Sequence, residues 1–111
     1  MAYDEALAGR IRDVLADEGG VTENKMFGGL AFLVNGNMAV AASGQGGILV
    51  RVDPDESAQL VETTPATEMV RRGRAMVGWL RLRSDDVEAD AELRPWVERG
   101  VGFARSLPAK G

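Results

Sequence analysis

The dipeptide Asn35-Gly36 restricts the fold more than any other feature, because it stands between two apolar runs, Met26 to Val34 and Met38 to Ala42. Both residues accept the positive φ of a two-residue hairpin turn, whose twist matches that of the strands it joins. The runs are therefore expected to pair antiparallel. Met26 to Val34 is apolar at successive positions, which predicts a central strand covered at least partly on both faces. Gly44-Gln45-Gly46-Gly47 makes the next turn, and Ile48 to Val52 forms a third strand.

Helical patterns flank this hairpin unit. Tyr3, Leu7, Ile11, Val14 and Leu15 recur at helical spacing and predict an amphipathic helix over 4–18. Asp4 is its expected cap, and Gly19-Gly20 its stop in a left-handed conformation. Asp53-Pro54-Asp55-Glu56 starts a short helix: a capping carboxylate, proline at the first helical position, and Glu three residues after the cap. Thr63-Thr64-Pro65 ends it, since a residue before proline disfavours the helical region. A last helix is expected from about Ala91 to Leu107, with Leu93, Trp96, Val97, Gly100, Ala104 and Leu107 as its apolar stripe. Pro95 is tolerated because it lies near the start.

Between the last two helices, Thr67 to Arg72 and Ala75 to Arg83 predict a second hairpin turning around Gly73. Period-two alternation places Met76, Gly78, Leu80 and Leu82 toward the helices, and Val77, Trp79, Arg81 and Arg83 on the outer face. The resulting order is α-βββ-α-ββ-α. This predicts an α+β fold: a two-layer sandwich with a mainly antiparallel five-stranded sheet and helices packed on one side. Residues 1–111 are expected to form one domain, since no linker, repeat or low-complexity segment interrupts them.

Composition narrows the chemistry. The chain has no histidine and no cysteine, which removes Ser-His and Cys-His nucleophile pairs, thiolate and imidazole metal sites, and disulfides. No catalytic residue, metal or cofactor is expected, and the chain is expected not to be an enzyme. The N-terminus holds Asp4 and Glu5 without an apolar run, unlike a secretory signal. No stretch approaches the about 20 apolar residues that cross a bilayer. A cytoplasmic location away from membranes follows by elimination.

Several motifs are candidates for function. Gly28-Gly29 lies inside a strand pattern and lacks the Lys-Ser/Thr of a phosphate loop, so it is read as a bulge or a close helix approach. Gly44 to Gly47 is read as a hairpin loop. Acids from Asp85 to Glu92 lack the glycine and final bidentate Glu of a calcium loop, and suit a helix start instead. Trp96 and the methionines are read as core or core-rim residues.

The dense basic region is Arg71, Arg72, Arg74, Arg81 and Arg83, which the hairpin would gather beside Trp79. Three readings stand: pairing with Asp85, Asp86 and Glu88, contact with a protein partner or a second copy, and contact with nucleic acid. Val77, Trp79, Arg81 and Arg83 form the candidate interface, since Trp and Arg are enriched in interface hot spots. Arg71, Arg72 and Arg74 form the candidate basic patch. With 13 basic against 17 acidic residues the net charge is −4, so direct DNA binding by this chain alone is not expected. A small-molecule-binding cleft is the remaining alternative.

Lys25-Met26-Phe27-Gly28-Gly29, a strand, Asn35-Gly36, another strand and Leu49-Val50-Arg51-Val52-Asp53 together resemble the N-terminal domain of the TfoX/Sxy family. Gly73-Arg74-Ala75-Met76, the Trp79 strand and the final helix with Trp96 continue the resemblance along nearly the whole chain. It implies a compact α/β sandwich with a mainly antiparallel sheet, and a regulatory or protein-interaction role. Regulatory members of that family assist transcription of competence genes together with the cyclic-AMP receptor protein. They carry a second, C-terminal domain of a kind associated with nucleic-acid binding, so this chain is expected to correspond to the N-terminal domain alone. The resemblance supplies no catalytic residue.

Overall fold

A computed structural model describes residues 3–26 and 28–109. Phe27, part of the resemblance, lies outside the described residues. Helix α1 (Glu5–Val14) is capped by Asp4, whose Oδ1 accepts from the Leu7 N–H at 3.1 Å. It ends earlier than the expected residue 18, because the chain tightens into i→i+3 turns at Asp13–Ala16 and Leu15–Glu18 that bury Leu15. Gly20, at φ +77°, instead leads into the first strand, and its carbonyl accepts from the Asn35 N–H.

The sheet has six strands where five are expected from sequence. They are β1 (Val21–Met26), β2 (Gly29–Val34), β3 (Asn37–Ala42), β4 (Ile48–Arg51), β5 (Thr67–Arg71) and β6 (Arg74–Leu82). Their order is β1-β2-β3-β4-β6-β5 and every neighbouring pair is antiparallel. The additional strand is β1, Val-Thr-Glu-Asn-Lys-Met. It is an edge strand whose four central residues are exposed, so it carries polar side chains and no hydrophobic alternation. Gly28, at φ +77°, belongs to the turn joining β1 to β2 rather than to the interior of a strand. Gly29 lies against backbone: a Cβ there would come within 2.5 Å of the Ala42 carbonyl oxygen. The close neighbour is a strand, not a helix.

The Asn35-Gly36 turn forms as the dipeptide requires, with φ +52° and +84°. Helix α2 (Pro54–Thr63) is capped by Asp53, whose Oδ1 accepts from the Asp55 N–H at 2.9 Å. A 3₁₀ turn (Ser84–Val87) precedes α3 (Asp90–Ser106), which continues through Pro95. All three helices pack on one face of the sheet. That inner face presents Leu30, Phe32, Val40, Ala42, Ile48, Val50, Leu80 and Leu82 to Leu7, Ile11, Leu93, Val97, Val101 and Ala104 in one buried core. Arg10 fastens α1 to the start of α3, donating to the carbonyls of Val87 (2.8 Å) and Glu88 (2.9 Å) and to Asp90 Oδ1 (3.1 Å). None of the described helices is long and apolar enough to cross a membrane.

Candidate functional site

None of the described helices packs on the outer face of the sheet. Register fixes which side chains it presents: Ala31, Ala41, Leu49 and Arg81 lie side by side across β2, β3, β4 and β6, offset by one residue from the inward set. Ala31 and Ala41 are buried, so larger side chains stand around them.

The β6 strand breaks its own alternation. Between the pairs Glu68–Leu80 and Met69–Met76, β5 advances by one residue and β6 by four. This bulge centres on Gly78, at φ +89°, whose Cβ would lie 3.2 Å from the Val52 carbonyl oxygen. The Gly78 N–H, released from β5, donates to the buried Ser57 hydroxyl of α2 at 3.4 Å. A bulge of odd length exchanges the faces of the residues beyond it. Met76, expected toward the helices, therefore shares the outer face with Trp79, while Gly78, Leu80 and Leu82 point inward as expected.

The result is a groove of about 370 Å³ to which every strand contributes. Met26 of β1, Met38 of β3, Met69 of β5 and Met76 of β6 line it, with Leu49 and Trp79 between them. All four described methionines thus meet here, half-buried, rather than in the core. Their distribution is a correction to the core reading, and it follows from outward register at Met26 and Met38 and from the bulge at Met76. At the rim Arg81 donates from Nη2 to Ser43 Oγ at 3.1 Å. The Arg51 guanidinium lies 5.0 Å from the centre of the Trp79 ring and 5.5 Å from that of Phe103 on α3, within cation–π range of both.

The charge of the groove is opposite in sign to that of the molecule. Its lining includes Arg71 and Arg81 and no acid, in a chain of net charge −4. A second, open cleft of about 650 Å³ adjoins it on the other side of Arg81, between the Gln45–Gly47 loop and Arg83 to Asp86. The Gly44–Gly47 segment closes the β3–β4 hairpin through Ser43 N–H to Gly47 carbonyl and Gly46 N–H to Ser43 carbonyl bonds. Among the described residues the buried polar side chains are Asn37 and Ser57, neither of them titratable.

Comparison with protein-family models matches residues 13–104 to the TfoX N-terminal domain. The chain belongs to this family. No curated protein sequence matches it. The matched range holds all six strands and every residue that lines the groove of this TfoX N-terminal domain.

Within the domain, the sequence-selected residues divide. Trp79 and Arg81 meet in the groove, both half-buried. Val77 is displaced by the bulge and stands 58% exposed, outside the groove lining. Arg83 follows the end of β6 and lines the second cleft, 4.0 Å from Asp86. Arg71, Arg72 and Arg74 sit exposed at the β5–β6 turn, where Arg72 (φ +54°) and Gly73 (φ +77°) supply the positive φ values. The five arginines are therefore not gathered into one patch: three are at the hairpin tip and two at the opposite end of β6. The methionines are the groove residues that sequence reasoning missed. For Met76 the available signal was Gly78 within a strand pattern, since an interior strand glycine marks a bulge.

Proposed function

We propose that this TfoX N-terminal domain is a non-enzymatic, regulatory protein-interaction module whose partner binds the outer sheet face. The observation that carries the reading is the convergence of four methionines, Leu49 and Trp79 in one uncovered groove. Methionine is unbranched and polarisable, so it adapts to a partner's shape, and it is over-used at surfaces that receive other chains. Trp79 adds the residue type most enriched in hot spots. The buried polar inventory, limited among the described residues to Asn37 and Ser57, favours binding over acid–base chemistry. Resemblance to competence regulators supports a role in bacterial transcription regulation within the cytoplasm.

The test is comparative affinity capture from native lysate, read by quantitative mass spectrometry, with the wild-type chain and Trp79→Ala. The expected outcome is loss of specific partners at an unchanged fold, with Trp79→Ala weakening the contact by more than about 1 kcal/mol. Identical captured sets, with only a lowered melting temperature, would defeat the reading and leave Trp79 a stabilising residue of the monomer.

A further inference from the structure

We propose that the groove receives an acidic amphipathic helix of a partner protein, its apolar side laid across the strands and its carboxylates toward Arg81. This rests on the reading of the outer face as a protein-binding surface and adds the chemistry of the occupant. Three features of the groove select it.

The first is backbone accounting. The floor is the face of a sheet whose strands already pair with one another from β1 to β5. An extended peptide laid on Met38 and Leu49 would lie over β3 and β4, each paired on both sides, and would bury its own N–H and C=O groups unpaired. A helix satisfies its backbone internally and presents a stripe of side chains. Six strands spaced about 4.8 Å apart make a floor about 24 Å across, the length of an about 16-residue helix.

Charge supplies the second. The groove lining contains arginines and no acid, although acids outnumber bases 17 to 13 in the chain. Arg81 is held at the rim by the neutral Ser43 hydroxyl, so its charge remains to attract a carboxylate. Like charges placed across a contact are penalised, and opposite ones steer association. The same argument disfavours a second copy bound face to face, which would bring two copies of this acid-free basic groove together.

The third is plasticity. Four methionines around a Trp and a Leu supply apolar area without a rigid outline. Such a lining suits a helix with anchors at i, i+3, i+4 and i+7, whose exact side chains can vary.

The test is selection of displayed random peptides of about 16 residues against the intact chain, with binding read by Trp79 fluorescence in a Trp96→Phe background. Expected are enriched peptides with helical apolar spacing and an excess of Asp and Glu. Synthetic copies should become helical on binding, and Arg81→Glu should weaken them by about tenfold or more. Met69→Glu should do the same from the edge strand, with melting temperatures checking both variants. Enriched peptides that depend on Met69 but lack acids, or that bind extended, overturn the acidic helix and leave the protein-binding reading standing. Failure to enrich any peptide, or binding indifferent to both variants, overturns both. Saturable binding of decanoate in the groove, without peptide enrichment, assigns it to a small apolar acid and also overturns both.

Discussion

Gly100 and Gly102 stand two positions apart on α3 and meet opposite surroundings. A Cβ on Gly100 would strike the carbonyl oxygen of Ala39, lie 3.1 Å from its carbonyl carbon and press within 3.4 Å of Val50 Cγ1. Ala39 is the residue β3 inserts where its register with β2 shifts, so α3 rests on a backbone bulge that cannot easily retreat. A Cβ on Gly102 would meet nothing within 4 Å. Glycine in a helix interior costs about 1 kcal/mol relative to alanine. Gly102→Ala should therefore raise stability by about 0.5–1 kcal/mol. Gly100→Ala should lower it by about 1–3 kcal/mol through overpacking, and Gly100→Leu by at least as much. Urea melts of the single variants check both signs, and equal effects at the two positions would refute the close approach of α3 to β3.

At the scale of elements, what the sequence made legible was whatever depends on neighbours along the chain. Asp4 and Asp53 cap the helices they precede, Asn35-Gly36 turns between β2 and β3, and the stripe from Leu93 to Ala104 faces the core. What escaped depends on partners distant in sequence. β1 is held as an edge by pairing with β2 and by the bond from Arg12 Nε on α1 to Glu23 Oε2 at 2.6 Å, while its own polar residues carry no hydrophobic alternation. The groove escaped because strict alternation keeps Met76 on the wrong face until the Gly78 bulge is counted. That bulge predicts its own fragility. Gly78→Ala places a side chain at φ +89° against Val52 and Pro54, and should cost about 1–3 kcal/mol. Ser57→Ala removes the acceptor of the Gly78 N–H and should cost about 1 kcal/mol. Both are read by thermal melts, and Gly78→Ala should also change Trp79 fluorescence. The β1 edge carries a pH signature as well. The Arg12 hydrogen bond holds the Glu23 carboxyl below its usual value; burial opposes it, and the Arg12 charge adds a lesser downward pull. A depressed folded-state value means that the pair's stabilisation is present above the unfolded-state value and is lost as pH falls through the folded one. The melting-temperature gap between wild type and Glu23→Gln should close below the ordinary Glu range near pH ~4. A gap constant from neutral to acid pH would show that the pair contributes nothing.

At the scale of the whole molecule, the distribution of charge decides what kind of partner can approach. Net charge is −4, and the ion pairs Arg10–Asp90, Arg12–Glu23, Arg99–Glu56 and Arg105–Glu18 commit four arginines to carboxylates on the helical side. Of the other arginines, Arg71, Arg72 and Arg74 stand at the β5–β6 tip, Arg81 and Arg83 at the far end of β6, Arg51 against Trp79 and Arg94 beside Glu98 on α3. Duplex DNA presents regularly spaced phosphates and asks for a continuous basic stripe with an element that enters a groove. Neither end of β6 supplies one: the tip is a two-residue turn at Arg72-Gly73, and Arg83 already faces Asp86. The isolated chain should therefore show no specific duplex binding at physiological salt. Any association seen at low salt should vanish with added salt and be indifferent to sequence, because it reflects phosphate contacts alone. Arg72→Glu with Arg74→Glu should abolish that residual binding while leaving groove-directed peptide binding unchanged, since neither residue lines the groove. Fluorescence anisotropy with labelled duplexes across a salt series checks this. A submicromolar complex that survives excess nonspecific competitor would overturn the assignment of the domain to protein partners and move its function to the Arg-bearing hairpin.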